Sequence, residues 1–295
     1  MKLGLGTVQF GLDYGISNTA GRTPADEVLH ILDLAARIGI SVIDTASMYG
    51  TSETVLGQAL ASLGHDFAIV TKTPRFDVTG DLKAEADRLE QTFLHSLKSL
   101  QKEAIHGLMF HHADDLLTDE SSVLVERVCA LKQQGLISKW GFSAYTGQQL
   151  DAILHRFTPD LVQVPVNVLD QRLLNGGQLK RLKQAGVEIH SRSAFLQGLL
   201  LMDAAALNPY FAPYVGILES FSREARNKGF SQLQATLKFV MDIVEIDHVI
   251  VGVCSGSELQ QIVAAATALP ANTISYERFA CADEGLVNPA LWKLQ

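Results

Sequence analysis

Short apolar runs alternate along the chain with longer amphipathic segments. The runs predict eight buried β-strands, over residues 3–7, 41–44, 67–71, 107–110, 139–142, 161–166, 187–191 and 248–253. A segment in which apolar residues recur every three or four positions follows each run, as in a helix with one buried face. Eight βα units in succession predict a closed parallel barrel, the (β/α)8 or TIM barrel, of class α/β.

Local signals mark the ends of several predicted helices. Thr23 and Pro24 predict a helix start, with the threonine as N-cap and the proline at the first helical position. A second helix is predicted over 52–63. Gly135 is a plausible C′ residue for the helix that ends just before it. The tail, 276–295, is expected to cover one mouth of the barrel.

The length of 295 residues fits one large domain or two smaller ones, and no Pro/Ser-rich linker divides the chain. We therefore expect one barrel domain over residues 1–295. A doubly wound open sheet is the alternative architecture. Against it, the first strand continues as Thr7-Val8-Gln9 and lacks the GxGxxG turn of dinucleotide-binding sheets.

Composition and charge exclude several classes of protein. Apolar residues make up 47% of the chain, which is enough for a large core. The net charge of −8, with no basic stripe, argues against a nucleic-acid surface. No apolar run reaches the length of a membrane span, and no signal-peptide pattern is present. The three cysteines, Cys129, Cys254 and Cys281, form no CxxC pair, which suits a reducing cytoplasm.

Residues whose side chains can take part in catalysis lie at or just after the ends of consecutive predicted strands. Asp44 ends the second strand and Tyr49 follows it, while Lys72 ends the third strand and His111 the fourth. In a parallel barrel these ends meet on one rim. A tyrosine has a pKa of ~10, and a neighbouring lysine cation is expected to lower it. With Asp44 holding the lysine and His111 orienting a carbonyl oxygen, the set predicts a proton donor for a carbonyl that receives hydride.

The chain resembles the aldo-keto reductase family over nearly its whole length. The run Asp-Thr-Ala-Ser-Met-Tyr-Gly at 44–50 resembles the family's Asp-Thr-Ala-x-x-Tyr-Gly, and His-His-Ala-Asp at 111–114 resembles its His-x-Pro-Asp. The resemblance implies Tyr49 as general acid, Lys72 and Asp44 as its tuning pair, and His111 as substrate orienter. It also implies direct hydride transfer from reduced nicotinamide to a small carbonyl substrate, without a metal.

The same resemblance implies cofactor-binding residues. Ser143 and Gln163 are expected to hold the nicotinamide amide, while Ala144 replaces the family's asparagine. Arg192 stands where an aromatic ring usually stacks on nicotinamide, and a planar guanidinium can stack as well. Further contacts are expected from Gly6, Thr7, Val8, Asp44, Ser191, Ser193, Gly252, Cys254, Ser255, Ser257 and Leu259.

The helix that begins after Gly252 is expected to bind the cofactor phosphates through its free N–H groups. Family members that prefer NADP usually carry a basic residue about where Cys254 stands. Its absence leaves a mild preference for NADPH, with NADH possible. The loops over 10–22, 74–81 and 202–215 are expected to select the substrate, and the aromatics of the last loop either line an apolar pocket or pack the loop.

Other interpretations of these residues stay open. An NAD-dependent sugar (aldose) dehydrogenase runs the same chemistry in the opposite direction. The run 111–115 could hold a metal on the barrel rim, and Cys254 could be a nucleophile at a helix N-terminus. A barrel that binds cofactor for regulation is a further alternative, against which the intact quartet argues. The pattern predicts no oligomeric state.

Overall fold

The computed structural model describes residues 1–270 and 272–294. Eight parallel strands pair in chain order, and the last pairs with the first to close a barrel. The predicted (β/α)8 barrel is confirmed, and each predicted strand end lies within two residues of the observed one. The strands are β1 (Leu3–Gly6), β2 (Val42–Asp44), β3 (Ala68–Lys72), β4 (Ile105–Phe110), β5 (Ile137–Ser143), β6 (Leu161–Pro165), β7 (Glu188–Arg192) and β8 (His248–Gly252).

Helices connect the strands and cover the outside of the barrel. They are α1 (Val8–Gly11), α2 (Ala25–Arg37), α3 (Ser52–Leu63), α4 (Leu82–Leu100), α5 (Ser122–Gln133), α6 (Gly147–Leu154), α7 (Arg172–Asn175), α8 (Gln178–Gln184), α9 (Val215–Asn227), α10 (Gln232–Asp242), α11 (Gly256–Thr267) and α12 (Glu284–Val287). No helix among the described residues combines the length and apolar character needed to cross a bilayer.

Helix α2 starts one residue later than predicted. Pro24, not Thr23, is its N-cap residue, and the Thr23 hydroxyl is buried without a partner among residues 1–270 and 272–294. The backbone N–H of Thr23 instead donates to the carbonyl of Gln9, which ties this loop to α1. Gly135 follows α5 at φ +77°, a left-handed conformation that suits glycine, as predicted.

Side-chain alternation on the strands divides the barrel into an outer and an inner face. Outward residues such as Leu5 and Ile43 belong to the large core beneath the helices. Val70, Met109 and Leu161 form a separate, fully buried cluster. Residues two apart on a strand share a face, so Lys72 projects to the same side as Val70 and nearer the carboxyl end of the barrel. Polar side chains therefore lie at the carboxyl end of the barrel, and the apolar cluster fills the interior beneath them.

The C-terminal tail braces the loops beside the barrel mouth. The N–H of Cys281 donates to the carbonyl of Leu169 after β6, and the Tyr276 hydroxyl donates to the carbonyl of Ala235 on α10. No described residue of the tail lines the pocket at the carboxyl end. The tail was predicted to cover one mouth of the barrel, but it packs beside the loops at the carboxyl end and does not close the pocket.

The aromatic residues of the loop after β7 pack against this tail. The hydroxyl of Tyr210 donates to the carbonyl of Gly285, and Phe211 lies with its ring centroid 4.9 Å from that of Trp292. They do not line the pocket. Of the two expectations for these aromatics, the packing of the loop is the one observed.

Close contact between α3 and α4 generates a stability prediction. A Cβ added at Gly57 would lie 2.2 Å from the carbonyl oxygen of Ser99, so Gly57→Ala must push the two helices apart. We expect the free energy of unfolding to fall by about 1–3 kcal/mol. Urea unfolding followed by circular dichroism measures it.

Gly216→Ala on α9 is the matched control for this variant. An added Cβ there has no neighbour within 4 Å, and alanine favours a helix over glycine, so this variant should be as stable as the wild type or more stable by about 1 kcal/mol. Equal stability of the two variants would contradict the packing argument.

Candidate active site

The ends of β2 and β3 place a buried ion pair at the carboxyl mouth of the barrel. Lys72 Nζ donates to Asp44 Oδ2 at 2.6 Å and to the carbonyl of Thr45 at 2.9 Å. The Lys72 side chain is fully buried and that of Asp44 nearly so. From β6, Gln163 donates to the other Asp44 oxygen at 2.7 Å. Both carboxylate oxygens therefore have fixed donors.

The loop after β2 holds Tyr49 beside this pair. The Tyr49 hydroxyl lies 3.5 Å from Lys72 Nζ. The Ser47 hydroxyl donates to the carbonyl of Lys72 at 2.9 Å, which pins the loop to β3. On the other side the loop lies against Gly11, where an added Cβ would be 1.8 Å from the carbonyl oxygen of Tyr49. The loop backbone thus fits only against a residue without a side chain.

His111 follows β4 and completes the group. Its ring centroid lies 5.7 Å from that of Tyr49, with the rings nearly perpendicular at 80°. Burial first, and then the charge of Lys72, lowers the pKa of His111 to about 3. The imidazole is therefore neutral at physiological pH. Its Nδ1 is buried and has no partner within the described part of the chain.

Tyr49 differs from the expectation based on sequence. Burial raises its pKa above the usual 10.0, and the nearby Asp44 carboxylate raises it further, while Arg192 acts in the opposite direction. The ammonium of Lys72, paired with Asp44 at 2.6 Å, does not outweigh burial and the Asp44 charge. Tyr49 is therefore a protonated phenol at neutral pH, the form that a proton donor needs.

A cavity of about 490 Å³ opens above these residues. This volume lies within the range of ~300–1,000 Å³ typical of ligand sites. Among the predicted site residues it is lined by Gly6, Thr7, Val8, Asp44, Tyr49, His111, Ser143, Gln163, Arg192, Ser193, Gly252 and Cys254.

Other predicted residues lie outside this lining. Lys72 is buried behind Asp44, and Ser191 lies in contact with the carbonyl of His248 at 3.5 Å. Leu259 belongs to the core under α11. Ser255 caps that helix by accepting from the N–H of Glu258, and Ser257 is exposed on its first turn without lining the cavity.

Several lining residues were not identified from the sequence. They include Gln9, Tyr145, Gln197 and Glu258, whereas Tyr14 belongs to the loop 10–22 that was expected to select the substrate. Gln9 is buried, and its Oε1 has no partner in residues 1–270 and 272–294. A Cβ at Gly252 would meet the Gln9 amide at 2.6 Å, so glycine at 252 leaves room for that amide. The position of Gln9 directly after Gly6-Thr7-Val8 was the available signal for it.

Comparison with known proteins agrees with the geometry. The sequence profile of the Aldo/keto reductase family matches residues 2–280. The chain belongs to this family. It is 30% identical over 276 residues to an L-galactose dehydrogenase of Arabidopsis thaliana, covering 86% of this chain and 82% of that protein. The aldo/keto reductase family is one of oxidoreductases, and the chain is therefore an oxidoreductase by descent.

Solved structures share the fold. An aldo-keto reductase of Bacillus halodurans superposes with a TM-score of 0.73 at 20% identity, covering 99% of this chain and 94% of that one. A glycerol dehydrogenase of Gluconobacter oxydans superposes with a TM-score of 0.66 at 22% identity, covering 92% of this chain and 93% of that one. At these identities the likeness concerns the barrel alone.

The start of α11 differs from the anion site expected of the family. The N–H of Cys254 donates to Glu258 Oε2 at 2.7 Å, and the N–H of Gly256 donates to Glu27 Oε1 at 2.6 Å. Two carboxylates thus occupy backbone donors that were expected to bind phosphate. The mild preference for NADPH stays a prediction, and the negative charge of these two carboxylates argues against it.

The rival interpretations fit the structure less well than the reductase quartet. Asp115 accepts from the N–H of Phe76, and Asp114 accepts from Gln149, so neither carboxylate converges with His111. Among the described residues, the group able to gather three ligand atoms, Glu188 with His190 and His248, lies at the opposite, amino end of β7 and β8.

Cys254 is poorly suited to be a nucleophile. Burial, followed by the charge of Glu258, raises the pKa of its thiol to about 11. The reactive species of a cysteine is the thiolate, which is scarce at neutral pH for such a group.

The ion pair generates a prediction on stability. Lys72→Met leaves the Asp44 carboxylate buried without its counter-charge, which should cost about 3–5 kcal/mol of unfolding free energy. Adding Asp44→Asn removes that charge, so the double variant should be more stable than Lys72→Met alone. Urea unfolding of the wild type, the two single variants and the double variant measures the coupling. Additive losses would show that the two side chains do not stabilise each other.

Proposed function

We propose that this chain interconverts a small aldehyde or ketone and the corresponding alcohol, with a nicotinamide cofactor as hydride carrier. The observation that carries the proposal is the convergence of Asp44, Lys72, Tyr49 and His111 at the mouth of a 490 Å³ cavity. Membership of the aldo/keto reductase family supports the class of reaction. A cytoplasmic location suits the free cysteines.

The polar groups of the cavity fit a nicotinamide amide. Gln163 uses its Nε2 to hold Asp44, which leaves its Oε1 as an acceptor for an amide N–H. Ser143, paired in register with Gln163 on the neighbouring strand, adds a hydroxyl on the same rim. The cofactor, when bound, supplies the hydride. Gln9, with its orphaned Oε1, offers a further acceptor on the β1 side of the cavity.

Tyr49 supplies the proton in the reductive direction. Its hydroxyl is protonated at neutral pH and gives its proton to the carbonyl oxygen as that oxygen gains negative charge. The phenolate left behind lies 3.5 Å from the ammonium of Lys72, which stabilises it. Neutral His111 carries one N–H and can donate it to the same oxygen. In the oxidative direction each of these transfers is reversed.

Removal of the Tyr49 hydroxyl tests this assignment. Tyr49→Phe should lower kcat by about 10²-fold or more, because the variant lacks the hydroxyl proton that the developing alkoxide accepts. Binding of reduced nicotinamide cofactor, followed by its fluorescence, should stay close to wild type. Tyr210→Phe is the matched control, since that hydroxyl bonds Gly285 outside the cavity. Unchanged turnover in Tyr49→Phe would exclude Tyr49 as general acid.

Oxidation of a sugar is the second candidate. The 30% identical relative is an L-galactose dehydrogenase, and that name belongs to the relative. Beside Tyr49 the cavity is lined by Tyr14, Ser17, Asn18 and Gln197, whose hydroxyl and amide groups suit a hydroxylated substrate. Initial rates in both directions with a panel of aldoses and aldehydes decide between the two candidates.

We further propose NAD(H) over NADP(H) as the cofactor. Glu258 lines the cavity, and its carboxylate accepts a hydrogen bond from the N–H of Cys254. The carboxylate of Glu27 accepts one from the N–H of Gly256. A 2′-phosphate would meet these carboxylates, whereas a ribose hydroxyl can donate to one of them. Arg192 is the one lysine or arginine in the lining described for residues 1–270 and 272–294.

Neutralising Glu258 tests the cofactor preference. The wild type should bind NADH at least about tenfold more tightly than NADPH, a difference of about 1.4 kcal/mol. Glu258→Gln should narrow that ratio by improving the affinity for NADPH. Fluorescence titrations with each cofactor give both constants. Glu126→Gln, which changes the net charge equally on the outer helix α5, should keep the wild-type ratio; tighter wild-type binding of NADPH would overturn the preference.

A further inference from the structure

Arg192 ends β7 with a side chain that lacks an acidic partner. Its guanidinium lies 4.0 Å from the ring centroid of Tyr145. Its hydrogen bonds, to Ser193 Oγ and to the carbonyl of Ala144, are both long at 3.4 Å. No carboxylate oxygen in the described chain lies within 4.0 Å of it, whereas Arg172 contacts both Asp170 and Glu284.

A half-buried arginine without a counter-ion lowers the stability of the fold unless a ligand supplies the missing hydrogen bonds and opposite charge. The residue is half-buried, so part of its hydration is lost, and long hydrogen bonds replace little of it. The next residue, Ser193, has φ +62°, a conformation that is strained for any residue except glycine. Uncompensated charge and strain together are typical of functional positions and not of positions selected for stability.

The charge of Arg192 acts on the reaction centre. Arg192 lines the same cavity as Tyr49 and His111. Burial is the main cause of the raised pKa of Tyr49 and of the lowered pKa of His111, and the charge of Arg192 opposes the first shift and adds to the second. Lys72 and Asp44 neutralise each other at 2.6 Å. No carboxylate oxygen in the described chain lies within 4.0 Å of Arg192, so its positive charge is available to an anionic ligand.

We propose that Arg192 binds a carboxylate carried by the substrate. The inference rests on the proposed function, because it names the class of carbonyl compound reduced there: an aldehyde acid, a keto acid or a sugar acid. A guanidinium presents paired N–H donors in one plane, which match the two oxygens of a carboxylate. Tyr145 covers one face of the guanidinium and orients it, so its donor edge and its other face remain for a ligand.

Pairs of substrates that share a carbonyl and differ in charge test the proposal. Succinic semialdehyde is compared with its uncharged amide, and glucuronate with glucuronamide. For the wild type, kcat/KM for the acid should exceed that for the amide by at least about tenfold. Arg192→Gln should bring this acid-to-amide ratio close to one, mainly through KM for the acid. Arg192→Lys should keep part of the ratio, because it retains the charge but not the paired donors.

Arg181→Gln provides the matched control. Arg181 pairs with Asp151 on the outside of the barrel and lines no part of the cavity, so the acid-to-amide ratio should stay at the wild-type value. The ratio itself separates loss of carboxylate recognition from any general effect of Arg192 on cofactor binding, since both substrates use the same cofactor.

A binding measurement decides the question independently of turnover. Glutarate, an unreactive carboxylate, is titrated into the complex of the protein with NADH, and the change in cofactor fluorescence is followed. Binding to the wild type that is lost in Arg192→Gln supports the proposal. Equal binding to both proteins, or inorganic phosphate binding more tightly than glutarate, overturns it. Failure to bind NADH or NADPH at all removes the proposed function as well, whereas cofactor binding with equal use of acid and amide removes only the role of Arg192.

Discussion

The burial of Asp44 against Lys72 is the interaction on which the site depends. Transfer of two charges out of water is costly, and the cost is offset only when each group keeps close, well-aligned partners. Here β2 supplies the carboxylate, β3 the ammonium and β6 the Gln163 amide, so closure of the barrel itself completes the set. Burial, followed by the charge of Asp44, raises the pKa of the neighbouring Tyr49 and keeps it protonated. The barrel thus holds this phenol in the protonated form that the proposed function requires.

Charge is distributed unevenly along the cavity, and this distribution connects the two proposals. At the start of α11, Glu258 and Glu27 bring negative charge to the place where a phosphate of the cofactor was expected. At the mouth, Arg192 brings a positive charge without a counter-ion in the described chain. The two carboxylates suit a dinucleotide without a 2′-phosphate, and Arg192, unpaired within the described residues, suits a substrate that carries a carboxylate. The chain departs from the family's usual residues at Ala144, Arg192 and Cys254, all close to these ligand positions.

Membership of the aldo/keto reductase family accounts for the barrel and for the four residues at its strand ends. It does not account for Ala144, Arg192 and Cys254. The four residues at the strand ends resemble those of the family's motifs, and in the barrel they lie in contact with one another. Loops after the strands differ more freely because the barrel positions their ends without depending on their sequence. In this chain the loop after β7 bends back on the tail through Tyr210 and Phe211, which leaves the polar residues Tyr14 and Gln197 at the cavity.

The sequence alone determined the barrel and predicted the four residues that converge at its mouth. Strands of a parallel barrel are buried on both faces and so read as continuous apolar runs, and their order fixes which ends share a rim. Tertiary structure decided what depends on contacts between distant segments. Glu27 accepts a hydrogen bond from the N–H of Gly256, 229 residues away along the chain. Burial, followed by the charge of Asp44, raises the pKa of Tyr49, which Lys72 was expected to lower. Such effects depend on distances and burial, which exist only once the barrel has closed and which local patterns along the chain do not encode.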